Sequence, residues 1–80
     1  MKVIGIEHIG IAVKDLEKNA SFWKNIIGLK HCGIEDVDGQ GVLTDIYDTG
    51  FGKIELLVSK YPESPISKFI KKRGSGIHHI

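Results

Sequence analysis

This sequence has only one cysteine, no long apolar run and almost no excess of one charge. The single cysteine, Cys32, excludes an internal disulfide framework. No apolar run approaches the roughly 20 residues of a membrane helix, and Glu7 and His8 interrupt the start, which therefore lacks a signal-peptide core. Eleven basic and ten acidic residues leave a net charge of +1, too little for a general attraction to nucleic acid or membranes. We therefore predict a soluble cytoplasmic protein with no nucleic-acid or membrane partner.

The chain is also short for a self-sufficient core. Eighty residues make at most one small domain, and a chain of this size buries only about 60% of its unfolded surface. A metal ion or a partner chain commonly supplies the missing stability. The lone cysteine fits a reducing compartment, although it also permits a disulfide between two chains.

Two pentapeptides, one at each end of the chain, are almost identical. Gly5–Ile9 and Gly76–Ile80 share four of five residues, and His8 and His79 fall in register, 71 positions apart. A repeated strand with one histidine in each copy predicts a paired module with a ligand-bearing site between its halves. We also expect most of the second copy to be missing after Ile80.

The spacing of apolar residues predicts strands and helices in the order β-α-β-β-β-α-β. The first strand is rich in valine and isoleucine, and Gly10 within it permits close backbone approach. The first helix has Asp15 as its N-cap and Gly28 at its end, and Ser64 caps the second. The predicted elements are strands Val3–Val13, Leu29–Glu35, Val42–Asp48, Lys53–Val58 and Ile77–Ile80, helices Leu16–Ile27 and Pro65–Arg73, and turns Asp38–Gly41 and Thr49–Gly52.

His8, Glu55 and His79 are the strongest candidates for chemistry. Two imidazoles and a carboxylate are a common ligand set for a divalent metal ion. The histidines occupy equivalent positions of the repeated strand, and Glu55 interrupts an apolar strand in which an unpaired buried charge is costly. The competing interpretation is that all three are polar residues on exposed sheet faces. Spacing alone favours that interpretation, because the three residues lie far apart in sequence.

Three further groups are weaker candidates. His78 is predicted to point away from His79 and to act in packing or hydrogen bonding, because neighbouring strand residues face opposite sides of a sheet. The same alternation argues against joint metal binding by His31 and Cys32. The cations of residues 71–73 fit phosphates of a nucleotide-bearing ligand, although their position favours a solvated helix end.

Runs of residues along the whole chain resemble those of the vicinal oxygen chelate (glyoxalase-like) superfamily. The runs that match its opening module are His8–Val13, Asp15–Glu17, Phe22–Trp23, Ile27–Leu29 and Ile54–Leu57. Three further runs are similar to methylmalonyl-CoA epimerases within that superfamily: Ser64–Ile66, Lys68–Ile70 and Gly74–Ile80.

The resemblance implies an α+β fold in which a βαβββ module pairs with a second module around a divalent metal ion. Residues 1–60 would form the module, 61–74 a linking helix and 75–80 the first strand of a truncated second module. His8, Glu55 and His79 would be three of the four protein ligands. The fourth, a late glutamate, belongs to the part of the second module that this sequence does not contain. The resemblance does not distinguish between cobalt, manganese, zinc, nickel and magnesium.

The implied activity is epimerisation of an acyl-CoA substrate of the methylmalonyl-CoA type. The proton on the carbon between thioester and carboxylate is removed and returned to the other face, while the metal stabilises the enolate charge. Asp45, beside Thr44, is the carboxylate of this module that the resemblance places nearest the role of base. Lys71, Lys72 and Arg73 would bind the coenzyme A tail. We expect either a homodimer that replaces the missing half or a fragment of a longer gene product.

Two rival functions remain open. One is another enzyme of the same superfamily, such as a glyoxalase-type lyase acting on a glutathione adduct, although residues 64–80 favour the epimerases. The other is a non-catalytic binding protein or an inactive single-module dimer. A stable dimer without metal binding would favour this second rival.

Overall fold

One sheet and two helices make up the described chain. The computed structural model describes residues 1–37 and 39–80. Within those residues the fold is α+β, as predicted, with five strands in one sheet. The strands are β1 His8–Ala12, β2 Lys30–Val37, β3 Val42–Asp48, β4 Lys53–Ser59 and β5 Gly76–His79, and the helices are α1 Leu16–Ser21, which continues as a π-helical turn over Phe22–Ile26, and α2 Pro65–Arg73.

The strand order brings the two halves of the repeat together. Across the sheet the strands lie in the order β2-β3-β4-β1-β5. β1 pairs in parallel with β4, and β5 lies antiparallel on its other side. The repeated strands that carry His8 and His79 are therefore neighbours, while β2 and β5 form the edges of the sheet.

Apolar side chains fill both faces of the sheet. On one face, called the α1 face below, Tyr47 and Leu56 are buried among side chains that include those of α1. On the other, the α2 face, Leu57 packs with Ile66 of α2 in a second buried cluster. Leu56 and Leu57 are consecutive in β4 and serve opposite faces, because side chains alternate along a strand.

Local signals set the starts of both helices where the sequence predicted them. Asp15 accepts a hydrogen bond from the backbone N–H of Lys18 at 3.1 Å, and Ser64 accepts one from the N–H of Ser67 at 3.1 Å. Each bond satisfies a backbone N–H that the first helical turn leaves without an intrahelical partner. Pro65 occupies the first position of α2, where its missing N–H breaks no helical bond.

The first strand and the first helix differ most from their predicted forms. β1 begins at His8 rather than Val3, because its parallel neighbour β4 begins at Lys53, the residue that pairs with His8. The first helix widens into a π turn at Phe22, whose carbonyl accepts a hydrogen bond from the Ile27 N–H at 3.0 Å. The first of these differences shows that a strand extends only as far as its neighbour.

Smaller shifts affect the connections. β2 runs on to Val37 and β4 to Ser59, beyond their predicted ends. Of the turn predicted over residues 38–41, Asp38 lies outside the described residues, while Gly39 and Gly41 have positive φ angles of 75° and 64°. Neither helix in the described ranges is long and apolar enough to cross a membrane.

Candidate metal centre

His8, Glu55 and His79 converge on the α2 face of the sheet. Gly10 of β1 pairs with Glu55 of β4 on one side and with His79 of β5 on the other. His8 precedes Gly10 by two residues and so projects from the same face. One potential ligand atom from each of the three side chains lies within 4.8 Å of the others. The structure therefore brings together three residues that lie far apart in sequence.

Gly10 leaves the space that the His79 ring occupies. A Cβ atom at position 10 would lie 2.4 Å from Cε1 and 2.7 Å from Nε2 of His79. Carbon atoms in contact normally lie about 3.5–4.0 Å apart. The imidazole thus lies directly over the β1 backbone, and its approach to His8 depends on the absence of a side chain at residue 10.

Glu55 is a carboxylate that the fold largely removes from water. Its side chain is 17% exposed, and its ion-pair contact within the described residues joins Oε2 to Nδ1 of His8 at 4.0 Å. No hydrogen bond to this carboxylate is present in the same part of the chain. A desolvated carboxylate without hydrogen bonds is costly. A divalent cation between the three side chains would compensate its charge.

The two imidazoles face each other at a separation suited to ligands of one ion. Their Nε2 atoms lie 3.0 Å apart, and two nitrogens each about 2.1 Å from one metal would lie about 3.0 Å apart at a right angle. Partial loss of water around its ring, followed by the neighbouring imidazoles His78 and His8, lowers the pKa of His79, while Glu55 opposes the shift. The lowered pKa favours the neutral imidazole, which is the form that coordinates metals. The donor set therefore fits a divalent cation.

A β-bulge places His78 on the same face as His79, and the predicted opposite orientation is wrong. The pairing of β1 with β5 shifts just after Gly10, so that His78 is an extra residue in β5. Its ring packs edge-on against Phe69 of α2, with ring centroids 5.0 Å apart. The sequence carried no sign of this bulge, because a bulge reflects pairing with another strand.

A cavity on the α2 face adjoins two of the three candidate ligands. It has a volume of about 270 Å³ and is lined by Glu55 and His79. The wall beyond them is mostly apolar and includes Val42, Thr44, Leu57 and Ile66. Thr44 is 5% exposed and lies on this face, whereas sequence reasoning singled out its neighbour as the catalytic residue.

Asp45 lies on the α1 face, opposite the candidate ligands, so its predicted role as catalytic base is corrected. It pairs with Leu56 of β4, the residue after Glu55, and consecutive residues of a strand face opposite sides of the sheet. Its Oδ1 is 2.5 Å from Nε2 of His31, and its Oδ2 accepts a hydrogen bond from the Tyr47 hydroxyl at 2.7 Å. Asp45 is 3% exposed, and its charge is satisfied within the α1 face.

A second bulge gives His31 this orientation. The pairing of β2 with β3 skips Cys32, so that His31 lies opposite Tyr47. Burial and then the adjacent Asp45 carboxylate raise the pKa of Tyr47 to about 12. Cys32 itself is exposed. Among the described residues, the group of side chains that could hold a metal ion does not include His31 or Cys32.

The basic residues predicted to meet phosphates lie at the exposed end of α2. Lys71, Lys72 and Arg73 occupy its last turn, where the helix dipole favours cations. They do not line the cavity. The start of the same helix does, through Ile66, so that α2 connects the cavity to a basic surface.

Comparison with known proteins identifies the family. Residues 7–80 match the sequence profile of the glyoxalase/bleomycin resistance protein/dioxygenase superfamily. The chain belongs to that superfamily. The chain is 40% identical over 76 residues to the mitochondrial methylmalonyl-CoA epimerase of Homo sapiens, and 37% identical over 75 residues to the uncharacterized protein YqjC of Bacillus subtilis (strain 168). The matches cover 94% of this chain but 43% and 54% of those proteins, so this superfamily member spans about half their length.

Solved structures of similar proteins share the fold. The hypothetical protein BH1468 from Bacillus halodurans C-125 has a TM-score of 0.90 and 47% identity, over 95% of this chain and 55% of that chain. The methylmalonyl-CoA epimerase from Mycobacterium tuberculosis has a TM-score of 0.86 and 32% identity, over 95% of this chain and 52% of that chain. The predicted superfamily, and the predicted likeness to methylmalonyl-CoA epimerases, are confirmed.

Proposed function

We propose that this chain forms the metal-binding part of a methylmalonyl-CoA epimerase-type enzyme. The observation that carries the proposal is the convergence of His8, Glu55 and His79, whose ligand atoms lie within 4.8 Å of one another. Two imidazoles and a carboxylate suit several first-row divalent metals. The likeness to methylmalonyl-CoA epimerases in sequence and in fold supports the choice of reaction.

The proposed reaction exchanges one proton on a 2-carboxyacyl thioester. The reacting carbon lies between a thioester carbonyl and a carboxylate, and its proton is removed from one face and returned to the other. When bound, the divalent cation supplies positive charge to the oxygen atoms that become more negative as the proton leaves. His8, Glu55 and His79 would hold it on the α2 face. The adjoining cavity, with its mostly apolar wall, would take the alkyl substituent and exclude water.

We assign the remaining ligand and the proton-transfer groups to a second module. Asp45 cannot serve as the base, because the sheet separates it from the centre. β2 and β5 are edge strands, and Ile77 of β5 is 62% exposed. Unpaired backbone groups at a sheet edge favour pairing with another chain. Either a homodimer or a second module of a longer chain would meet this need, and sedimentation of the 80-residue chain at micromolar concentration separates the two arrangements.

The basic end of α2 is proposed to contact the phosphates of coenzyme A. Replacement of Lys71, Lys72 and Arg73 by glutamine should raise KM for methylmalonyl-CoA and reduce its dependence on ionic strength. KM for methylmalonyl-pantetheine, which has the same acyl group but no nucleotide, should stay unchanged. Equal effects on both thioesters, or no effect on either, would contradict this assignment.

Cobalt(II) titration of the metal-free chain tests the centre. Calorimetry and visible absorption should show binding that His8→Ala and His79→Ala both weaken. Glu55→Gln should weaken it as well, since an amide replaces a charged donor, whereas Glu63→Gln should not, because Glu63 is exposed and away from the centre. Binding that is indifferent to both histidine replacements would refute the centre.

Deuterium exchange tests the reaction. In heavy water, the metal-loaded protein should introduce deuterium at the carbon between the thioester and the carboxylate of methylmalonyl-CoA, as detected by mass spectrometry. The double replacement of His8 and His79 by alanine, which removes both imidazole ligands, is the control for exchange in the absence of the centre. Conversion of a glutathione hemithioacetal without such exchange would favour the lyase. A stable dimer that neither binds metal nor exchanges deuterium would favour a binding protein.

A further inference from the structure

Each of the facing imidazoles is contacted from behind by the residue that precedes it in the chain. Oε1 of Glu7 lies 2.7 Å from Nδ1 of His8, and Nδ1 of His78 lies 2.8 Å from Nδ1 of His79. Both separations are hydrogen-bond distances. The two Nδ1 atoms are therefore engaged, and it is the Nε2 atoms that face each other, 3.0 Å apart.

The position of the single N–H on each neutral imidazole decides whether a cation is favoured between the two Nε2 atoms. A neutral imidazole carries one N–H, and a carboxylate only accepts hydrogen bonds. His8 therefore donates to Glu7 from Nδ1, which leaves a lone pair on its Nε2. His79 has one N–H for two contacts: it can donate from Nε2 to His8 or from Nδ1 to His78. In the second tautomer its Nε2 also carries a lone pair. Two lone pairs at this separation repel each other unless a cation lies between them.

Glu7 and His78 each make a further contact, besides the one to the neighbouring histidine. Oε2 of Glu7 lies 3.3 Å from Nζ of Lys53, and the Lys53 N–H donates to the Glu7 carbonyl at 2.9 Å. His78 is turned to the α2 face by the bulge in β5 and packs against the Phe69 ring. The fold therefore restricts the orientation of each residue toward its histidine.

We propose that Glu7 and His78 are positioning residues that turn Nε2 of His8 and Nε2 of His79 toward one shared cation. This inference rests on the proposed metal centre. A hydrogen bond to the outer nitrogen of a metal-binding imidazole fixes its tautomer and its orientation and raises its basicity. Each positioning residue acts through the imidazole beside it and does not itself touch the cation.

Metal titration of Glu7→Ala and His78→Ala tests the inference. Each replacement should weaken cobalt(II) or zinc(II) binding about 10- to 100-fold. His78→Asn should recover most of this loss, because an asparagine side chain can place an acceptor where the Nδ1 atom was. Glu63→Ala, at an exposed position, is the control. Circular dichroism establishes that each variant is folded.

The tautomer of His8 gives a readout that needs no metal. Nitrogen–proton correlation spectra of the metal-free protein at alkaline pH should place its ring proton on Nδ1 in the wild type and largely on Nε2 in Glu7→Ala. A proton on Nε2 in the wild type, or unchanged metal affinity in both alanine variants, would overturn the inference. A wild type that binds no metal but keeps the proton on Nδ1 would refute the proposed centre and uphold the positioning by Glu7.

Discussion

Replacement of Gly10 by alanine should displace His79 from the proposed metal centre. The new Cβ atom would lie 2.4 Å from Cε1, 2.7 Å from Nε2 and 2.8 Å from Nδ1 of His79. Carbon–carbon contacts need about 3.5 Å, so the ring must retreat by about 1.1 Å. Metal–ligand distances tolerate deviations of only about 0.2 Å. The retreat exceeds this tolerance about fivefold, and the imidazole nitrogen leaves the coordination sphere.

The fold itself should tolerate the Gly10→Ala replacement. His79 is exposed, so its ring can turn into solvent. Gly10 does not have a positive φ, and an alanine therefore adopts the same backbone conformation without strain. Overpacking inside a closed core costs about 1–3 kcal/mol. We expect the cost here to lie at the lower end of that range, because the clashing group is free to move.

Gly76→Ala is the matched control for Gly10→Ala. Gly76 lies in the adjacent strand β5, has no positive φ, and a Cβ atom there meets nothing within 4 Å. Cobalt(II) should bind Gly10→Ala at least about 10-fold more weakly than Gly76→Ala, while thermal unfolding of metal-free Gly10→Ala should lie only about 4–8 °C below that of Gly76→Ala. Equal affinity would refute the reasoning, because the position of His79 would then not depend on the space above Gly10.

The α1 face and the core offer three further tests. Asp45→Asn should lower the free energy of unfolding in urea by about 1–3 kcal/mol, because it weakens the hydrogen bonds to His31 and Tyr47. Its cobalt(II) affinity should stay unchanged. Reduced affinity at unchanged stability would show that Asp45 contributes to the proposed metal centre. Tyr47 should ionise near pH 12 in an ultraviolet titration, and Tyr47→Phe should remove that step. An unfolded tyrosine ionises near pH ~10. The free energy of unfolding should therefore fall as the pH rises from about 10 to about 12. Ionisation of Tyr47 near pH ~10 in the folded protein would contradict this prediction. Leu57→Ala should cost about 2–5 kcal/mol in the same urea assay, and a negligible loss would show that the α2-face cluster contributes little.

Most helices and strands could be predicted from the sequence because their causes are local. β3 occupies Val42–Asp48 as predicted, since apolar residues alternate between two turn signals. The N-caps Asp15 and Ser64 act within three residues of themselves. The start of β1 could not be predicted in this way, because the strand begins where its parallel neighbour β4 begins, and that pairing joins residues far apart in sequence.

Both the sequence and the strand pairing were needed to define the candidate site. The repeat and the family resemblance named His8, Glu55 and His79, although spacing alone favoured exposed polar residues. Their convergence within 4.8 Å follows from the place of β1 between β4 and β5. The roles assigned here to Gly10 as the space for a ring, and to Glu7 and His78 as supports, become visible only once the strands are paired.

Sequence by itself determined the family, the order of elements and the identity of the candidate ligands, because these depend on residue types and on neighbours along the chain. Tertiary structure decided which face each residue serves. The bulge at Cys32 turns His31 toward Asp45, and the bulge at His78 turns that residue toward the proposed metal centre. A shift of one residue in register moves a side chain to the opposite face of a sheet. Register depends on contacts between distant strands, and no local pattern records it.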